Sequence, residues 1–368
     1  MNSATQYLNI TEPFSFRRGG SIPELTLAYE TWGSLDANKS NAVMILTGIS
    51  PSAHATSSAQ DPSEGWWEPM VGSGRPIDTD RNFVVCINSL GSCKGSTGPD
   101  STNPATGKPY RLEFPEVTIW DIARAAQLVL DHLGITQLRM MVGPSMGGMS
   151  GLAWLHQFPH GARHFLGISS SANAEPFSIA IRSLQREAIV SDPDWQNGNY
   201  SPERWPRTGM RLARKLGMIT YRSAREWRER FGRLPQDRYE PTTFGMNFAV
   251  ESYLENAAAK FVSNYDPCTY VYLSRAMDWF DATEGHADLT DALSHIALES
   301  ACLIGVDSDI LFPVHQQRDL ADAFHANGVR SNLVTLPSDQ GHDAFLVDYD
   351  RFRPAVAGYF AQVLDGET

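Results

Sequence analysis

The stretch that most constrains this chain is Gly143-Pro-Ser-Met-Gly147-Gly148. It follows a short apolar run, residues 138–142, and precedes a segment compatible with a helix. A strand that ends in Gly-x-Ser-x-Gly and turns at once into a helix is a nucleophile elbow, with the serine at the tip in a strained backbone conformation. The flanking glycines fit because a Cβ would collide with the neighbouring strand and helix at so sharp a turn. The elbow predicts that Ser145 stands above a sheet at a helix N-terminus. There the helix dipole and free N–H groups favour developing negative charge. Met146 would supply one of those N–H groups.

The rest of the chain supplies what such a serine needs. Residues 301–305 form a continuous apolar run leading to Asp307 and Asp309, and residues 332–336 lead to Gly341-His342-Asp343. A carboxylate and a histidine thus each follow a strand, in the order Ser…Asp…His of the α/β-hydrolase fold. In a parallel sheet such loops share one edge, where ligands bind. Serine is a poor nucleophile until a base removes its proton. Histidine does so near neutral pH, and a buried carboxylate holds the imidazole tautomer. The pattern leaves Asp307 and Asp309 both open. The apolar run 42–47 ends in Gly48-Ile49, the position of a second oxyanion donor after an early strand; a plain strand-to-loop glycine is the alternative.

The chain order predicts an α/β fold with a mostly parallel central sheet flanked by helices. Residues 14–18 and 24–31 suggest a hairpin through Gly19-Gly20. Strands are expected at 42–47, 83–88, 138–142, 165–169, 301–305 and 332–336, and helices at 118–132, 314–326 and 351–364. From 172 to 294 strand patterns disappear and helical segments take over, at 177–189, 209–216, 224–231, 248–261 and 270–280. That predicts a core of 1–171 and 295–368 interrupted by a helical lid, 172–294. The glycine- and serine-rich stretch 88–99 lacks the phosphate-loop lysine pattern and reads as a structural loop.

Composition excludes several classes. The chain has 368 residues, 42% hydrophobic and 20% charged, with a net charge of −12. It carries no basic footprint for nucleic acid, and no apolar run approaches a membrane span. The first sixteen residues are polar, without a secretory pattern. Cys86, Cys93, Cys268 and Cys302 have no zinc or Cys-x-x-Cys spacing, so they read as reduced thiols of a cytoplasmic protein. His156 and His160 are separated by Pro159, which breaks the helix that would align them on a metal. No metal is expected.

Several stretches carry a resemblance: Leu27-Ala-Tyr-Glu-Thr-Trp-Gly33, Gly65-Trp-Trp67, Gly95-Ser-Thr-Gly-Pro99, Ser145-Met-Gly-Gly-Met149, Val250-Glu-Ser-Tyr-Leu254 and Gly341-His-Asp-Ala-Phe345. Together they resemble the homoserine O-acyltransferase family of the α/β-hydrolase fold over nearly the whole chain. Members move acyl groups from acyl-CoA to an amino-acid hydroxyl through an acyl-serine, and their lids form a dimer interface. Gly48-Ile-Ser-Pro-Ser-Ala-His54 and the proline of Gly143-Pro-Ser145 depart from the homoserine acetyltransferase pattern. They are similar instead to the serine O-succinyltransferase branch. A related branch of serine O-acetyltransferases also carries a proline in the oxyanion loop that holds Pro51.

The resemblance implies Ser145, Asp309 and His342 as the catalytic group, and oxyanion donors at Gly48, Ile49 and Met146. It implies Arg214 and Asp343 at the amino acid, and specificity positions at Pro51, Ser52, Ala53, His54 and Arg186. Arg182 lies one helical turn before Arg186. Two cations on that face suit the free carboxylate of a succinyl group. Pro51 would narrow the site for serine over homoserine, although a methylene is worth only about 1–3 kcal/mol. The expected activity is transfer of succinyl from succinyl-CoA to L-serine, for cysteine biosynthesis, by a homodimer with no bound cofactor and acyl-CoA as co-substrate. Homoserine acylation, serine acetylation and ester hydrolysis remain the alternatives.

Overall fold

Strands buried on both faces read as unbroken apolar runs, and such runs set the architecture. The computed structural model describes residues 4–236 and 245–366. Residues 1–3, 237–244 and 367–368 of the expected core and insertion lie outside them. The main sheet has eight strands: β1 Gln6–Ile10, β2 Leu25–Trp32, β3 Ala42–Leu46, β4 Phe83–Ile87, β5 Leu138–Pro144, β6 Ala162–Ile168, β7 Ser300–Val306 and β8 Arg330–Leu336. Their spatial order is β1-β2-β4-β3-β5-β6-β7-β8. β1 pairs antiparallel with β2, and β2 antiparallel with β4. Every later pairing is parallel. Parallel neighbours bring the ends of β3, β5, β7 and β8 to one edge.

The helices are α1 Ile119–Leu133, α2 Met146–Gln157, α3 Pro176–Val190, α4 Arg207–Thr220, α5 Ala224–Phe231, α6 Ala249–Val262, α7 Pro267–Asp278, α8 Leu289–Leu293, α9 Val314–Ala326, α10 Ala344–Val347 and α11 Tyr349–Asp365. α1 is bounded as its sequence demands. Thr118 and Asp121 form a reciprocal cap at its start, and Gly134 ends it in the left-handed region.

Alternation along each strand sends side chains to two cores. Met44, Leu46, Met141 and Leu303 face α1, α2 and α9. Val43, Ile45, Met140, Val142 and Ile304 pack with Trp67 and with Phe352, Val356 and Phe360 of α11. A third cluster, with Ile189, Met210, Val262 and Tyr265, belongs to α3, α4 and the α6–α7 junction. α3 to α8 all lie between β6 and β7 in the chain.

The N-terminal pairing differs from the expected hairpin. Gly19 and Gly20, at φ 97° and 81°, do turn the chain, but they join only Phe14–Ser15 to Ser21–Ile22. The partner of β2 is β1, five residues that alternate between exposed and half-buried. Only Leu8 and Ile10 of this edge strand pack on the core, and then only in part, so it carries no apolar run. No helix among the described residues is long and apolar enough to cross a membrane.

Candidate active site

Ser145 sits between the last residue of β5 and the first of α2, at φ 54° and ψ −125°. A non-glycine residue there carries strain of about 1–3 kcal/mol, sustained by its surroundings. The elbow is tight. A Cβ on Gly147 would run into the Leu46 carbonyl oxygen, and one on Gly143 into the Gly147 carbonyl oxygen. Both glycines are therefore required for β5 and α2 to meet at this angle. Met146 is the first helical residue, in the turn whose N–H groups have no intrahelical acceptor.

His342 closes on Ser145 from the loop after β8, with Nε2 2.8 Å from Ser145 Oγ. Its Nδ1 lies 2.8 Å from Asp309 Oδ2, in the loop after β7. The other oxygen, Asp309 Oδ1, accepts from the N–H groups of Leu311 and Phe312 at 2.9 and 3.0 Å. Asp309 is buried and Asp307 exposed, so the geometry separates the two aspartates that the sequence left open. The imidazole stacks on Phe312, at 4.9 Å between ring centroids, and meets the edge of Phe345. Burial opposes charging the imidazole. The charge and hydrogen bond of Asp309 outweigh it and hold the His342 pKa above its ordinary value.

Ser145 and His342 open into a cavity also lined by Gly48, Ile49 and Pro51 on one side. Arg182, Arg214 and Asp343 line other parts of it. Arg214 lies over the Phe261 ring at 4.5 Å, and its Nε is buried without a hydrogen-bond partner among the described residues. Asp343 is half-buried, with Oδ2 3.6 Å from Arg222 Nε. Burial raises its pKa, against the cations and His342 around it.

Four of the residues singled out for specificity do not line this cavity. Ser52, Ala53 and His54 lie outside its lining. The Ser52 carbonyl accepts from Trp66 Nε1 at 3.1 Å, Ala53 is buried, and His54 Nδ1 lies 2.8 Å from Glu30 Oε2. Arg182 lines the cavity, whereas Arg186, one turn later, does not line it and meets Asp278 and the cavity-lining Ser274. Helical spacing puts both arginines on one face. The packing of α3 on α7 decides which reaches the cavity.

The profile of the alpha/beta hydrolase fold family matches residues 41–349. Serine O-succinyltransferase of Stenotrophomonas maltophilia strain K279a is 57% identical over 358 residues, covering 96% of this chain and 97% of that protein. The enzyme of the same name from Xanthomonas campestris pv. campestris strain B100 is 54% identical over 372 residues, 98% of each chain. The chain belongs to the serine O-succinyltransferase family.

Solved structures place that family among wider relatives. Homoserine O-acetyltransferase from Bacillus anthracis superposes with a TM-score of 0.89 at 26% identity, over 97% of each chain. Esterase E22 does so with 0.87 at 26% identity, over 98% of this chain and 99% of its own. Transferase and esterase thus share the fold. For this member of the serine O-succinyltransferase family, sequence reading missed Tyr221, Tyr270 and Trp66 in the lining of the cavity. No spacing rule marks a tyrosine at a helix end as a cavity wall. Among the described residues no group of three or more His, Cys, Asp or Glu side chains is arranged to hold a metal.

Proposed function

We propose that this chain transfers the succinyl group of succinyl-CoA to the hydroxyl of L-serine through an acyl-Ser145 intermediate. The observation that carries the reading is a cavity containing Ser145 and His342 together with two arginines, Arg182 and Arg214. A succinyl group ends in a carboxylate and an amino acid carries another, so this reaction uses two cations where hydrolysis of a neutral ester uses none.

His342 Nε2 takes the Ser145 hydroxyl proton as Oγ attacks the thioester carbonyl carbon. The N–H groups of Met146 and the Gly48-Ile49 turn hold the oxyanion. The C–S bond breaks, and the CoA thiolate leaves with the proton from His342. L-Serine enters with its carboxylate at Arg214 and its ammonium at Asp343. Its hydroxyl proton passes to His342 Nε2 while its oxygen attacks the acyl carbon. The bond to Ser145 Oγ breaks, and Oγ recovers the proton. The terminal succinyl carboxylate faces Arg182, with Arg186 behind it. Pro51 narrows the pocket beside Ile49. No bound cofactor takes part; acyl-CoA is the co-substrate. The product is O-succinyl-L-serine, an activated serine from which a sulfur nucleophile yields cysteine.

The segment 172–294 is proposed as a helical lid on a core of 1–171 and 295–368, and as the surface of a homodimer. Phe177 and Leu184 of α3, and Leu212 and Ile219 of α4, recur every seven residues and are about half exposed, an apolar stripe suited to a second copy. The four cysteines are free, consistent with a reducing compartment, and the cytoplasm is the proposed location. A CoA-release assay with succinyl-CoA tests the activity. Release that requires L-serine and yields O-succinyl-L-serine supports transfer. Equal release without it means hydrolysis, and preference for L-homoserine means the homoserine reaction.

A further inference from the structure

The loop after β3 is held by its carbonyl groups. The Pro51 carbonyl accepts from Asn88 Nδ2 at 3.1 Å, and the Ser52 carbonyl from Trp66 Nε1 at 3.1 Å. His54 is fixed between Glu30 Oε2 and the Ser63 carbonyl, at 2.8 and 3.0 Å. All of these anchors precede residue 172. The Ile49 carbonyl has a different partner: it accepts from the Tyr265 hydroxyl at 2.5 Å. Tyr265 lies between α6 and α7, far along the chain in the inserted helical segment.

This bond falls where the loop most needs one. A Cβ built on Gly48 would find no atom nearer than 3.9 Å, so packing at Gly48 does not dictate the turn, and glycine leaves its backbone free. The Tyr265 side is rigid. The residue is only 3% exposed. Its ring stacks on Phe261 at 5.0 Å and meets the edge of Tyr270 at 6.3 Å. Phe261 in turn carries the Arg214 guanidinium over its face. Burial also drives the Tyr265 pKa well above its ordinary value, so the phenol keeps its donor proton through the neutral range.

We propose that Tyr265 is a positioning residue for the oxyanion turn: its hydroxyl, by holding the Ile49 carbonyl, fixes the Gly48-Ile49 backbone so that its N–H faces the acyl oxygen at Ser145. It touches no reacting atom. Its effect passes through the backbone of Ile49, and it ties that turn to the helices that carry Arg214. The proposal rests on the acyl-Ser145 reading. Removing an oxyanion donor outright costs about 10²–10³ in rate; loosening one costs less and leaves substrate binding intact.

The test is Tyr265→Phe, which keeps the ring and deletes only the hydroxyl. Its control is Tyr272→Phe, because Tyr272 donates to the Phe114 carbonyl at 2.7 Å and does not line the cavity. Rapid mixing with p-nitrophenyl acetate reads acylation of Ser145 without CoA or amino acid. Tyr265→Phe is expected to slow the burst at least about tenfold, with the KM for L-serine within twofold of wild type. Tyr272→Phe is expected to burst at the wild-type rate even where the two variants lose similar thermal stability. An unchanged burst in Tyr265→Phe overturns the proposal. So does a raised serine KM with normal acylation, or an equal slowing by Tyr272→Phe. A wild type in which Ser145 gains no acyl group from either p-nitrophenyl acetate or succinyl-CoA overturns the acyl-serine reading itself, and this proposal with it.

Discussion

Arg182 Nε lies 2.5 Å from Asp278 Oδ1, and the same carboxylate meets Arg186 through its other oxygen, at 2.6 Å. Two guanidinium groups thus share one carboxylate. Arg182 Nη2 is buried without a hydrogen-bond partner among the described residues, and Arg182 lines the cavity. A cluster with one cation in excess and one unused donor is suited to one more carboxylate. Arg182→Leu is expected to lower the ratio of kcat/KM for succinyl-CoA over acetyl-CoA at least tenfold, about 1.4 kcal/mol. Arg186→Leu acts through Asp278 and Ser274 and lowers it less. An unchanged ratio in Arg182→Leu would remove the succinyl assignment from this cluster.

The base at Ser145 must be neutral to work. Asp309 raises the His342 pKa, so at a given pH more of the imidazole is protonated than for a free histidine. Activity should therefore rise with pH along an acid limb centred above the unperturbed value of about 6.5. Asp309→Asn removes the charge that raises the pKa. The limb then moves to lower pH while kcat falls by about 10⁴, because the tautomer is no longer held. Profiles of kcat/KM against pH for both proteins check this. A limb that stays in place would assign the acid titration to another group.

Arg214 is held over Phe261, and its Nε is buried without a hydrogen-bond partner among the described residues. Arg214→Ala is expected to raise the KM for L-serine about 10- to 100-fold, the worth of a hydrogen bond to a charged group at about 1.5–3 kcal/mol. The KM for succinyl-CoA should change little. Steady-state kinetics with each substrate varied in turn separates the two, and an unaltered serine KM would contradict the role.

Leu184 and Leu212 are half exposed on α3 and α4. A Leu184→Glu, Leu212→Glu double variant is expected to shift the sedimentation coefficient from dimer to monomer. A wild type that sediments as a monomer would refute the dimer.

Much of this site was legible because its parts are local. The Gly-x-Ser-x-Gly turn encodes the positive φ of Ser145 within a few residues. Thr118, Asp121 and Gly134 mark both ends of α1, and apolar runs mark β3 and β7. What escaped was non-local. β1 is an edge strand in which only Leu8 and Ile10 touch the core, too short a pattern to mark it. Tyr265 meets Ile49 across 216 positions of the chain, and no motif brings a tyrosine to a carbonyl. Periodicity set Arg182 and Arg186 on one face, but their depth depends on Asp278 of α7. Asp309 differs from Asp307 only in which way the loop after β7 turns.

Whether Ser145 itself carries the succinyl group is read directly by intact-mass spectrometry. Mixed with succinyl-CoA and no acceptor, the protein should gain a single succinyl group, mapped to Ser145 by peptide fragmentation and absent from Ser145→Ala. Ser145→Ala should also lose turnover by about 10⁶, since the hydrogen-bonded group acts as a unit. Adding L-serine should discharge the adduct as O-succinyl-L-serine. A protein that stays unmodified while L-serine-dependent turnover proceeds, or a Ser145→Ala variant that retains substantial transfer, would rule out the acyl-Ser145 intermediate.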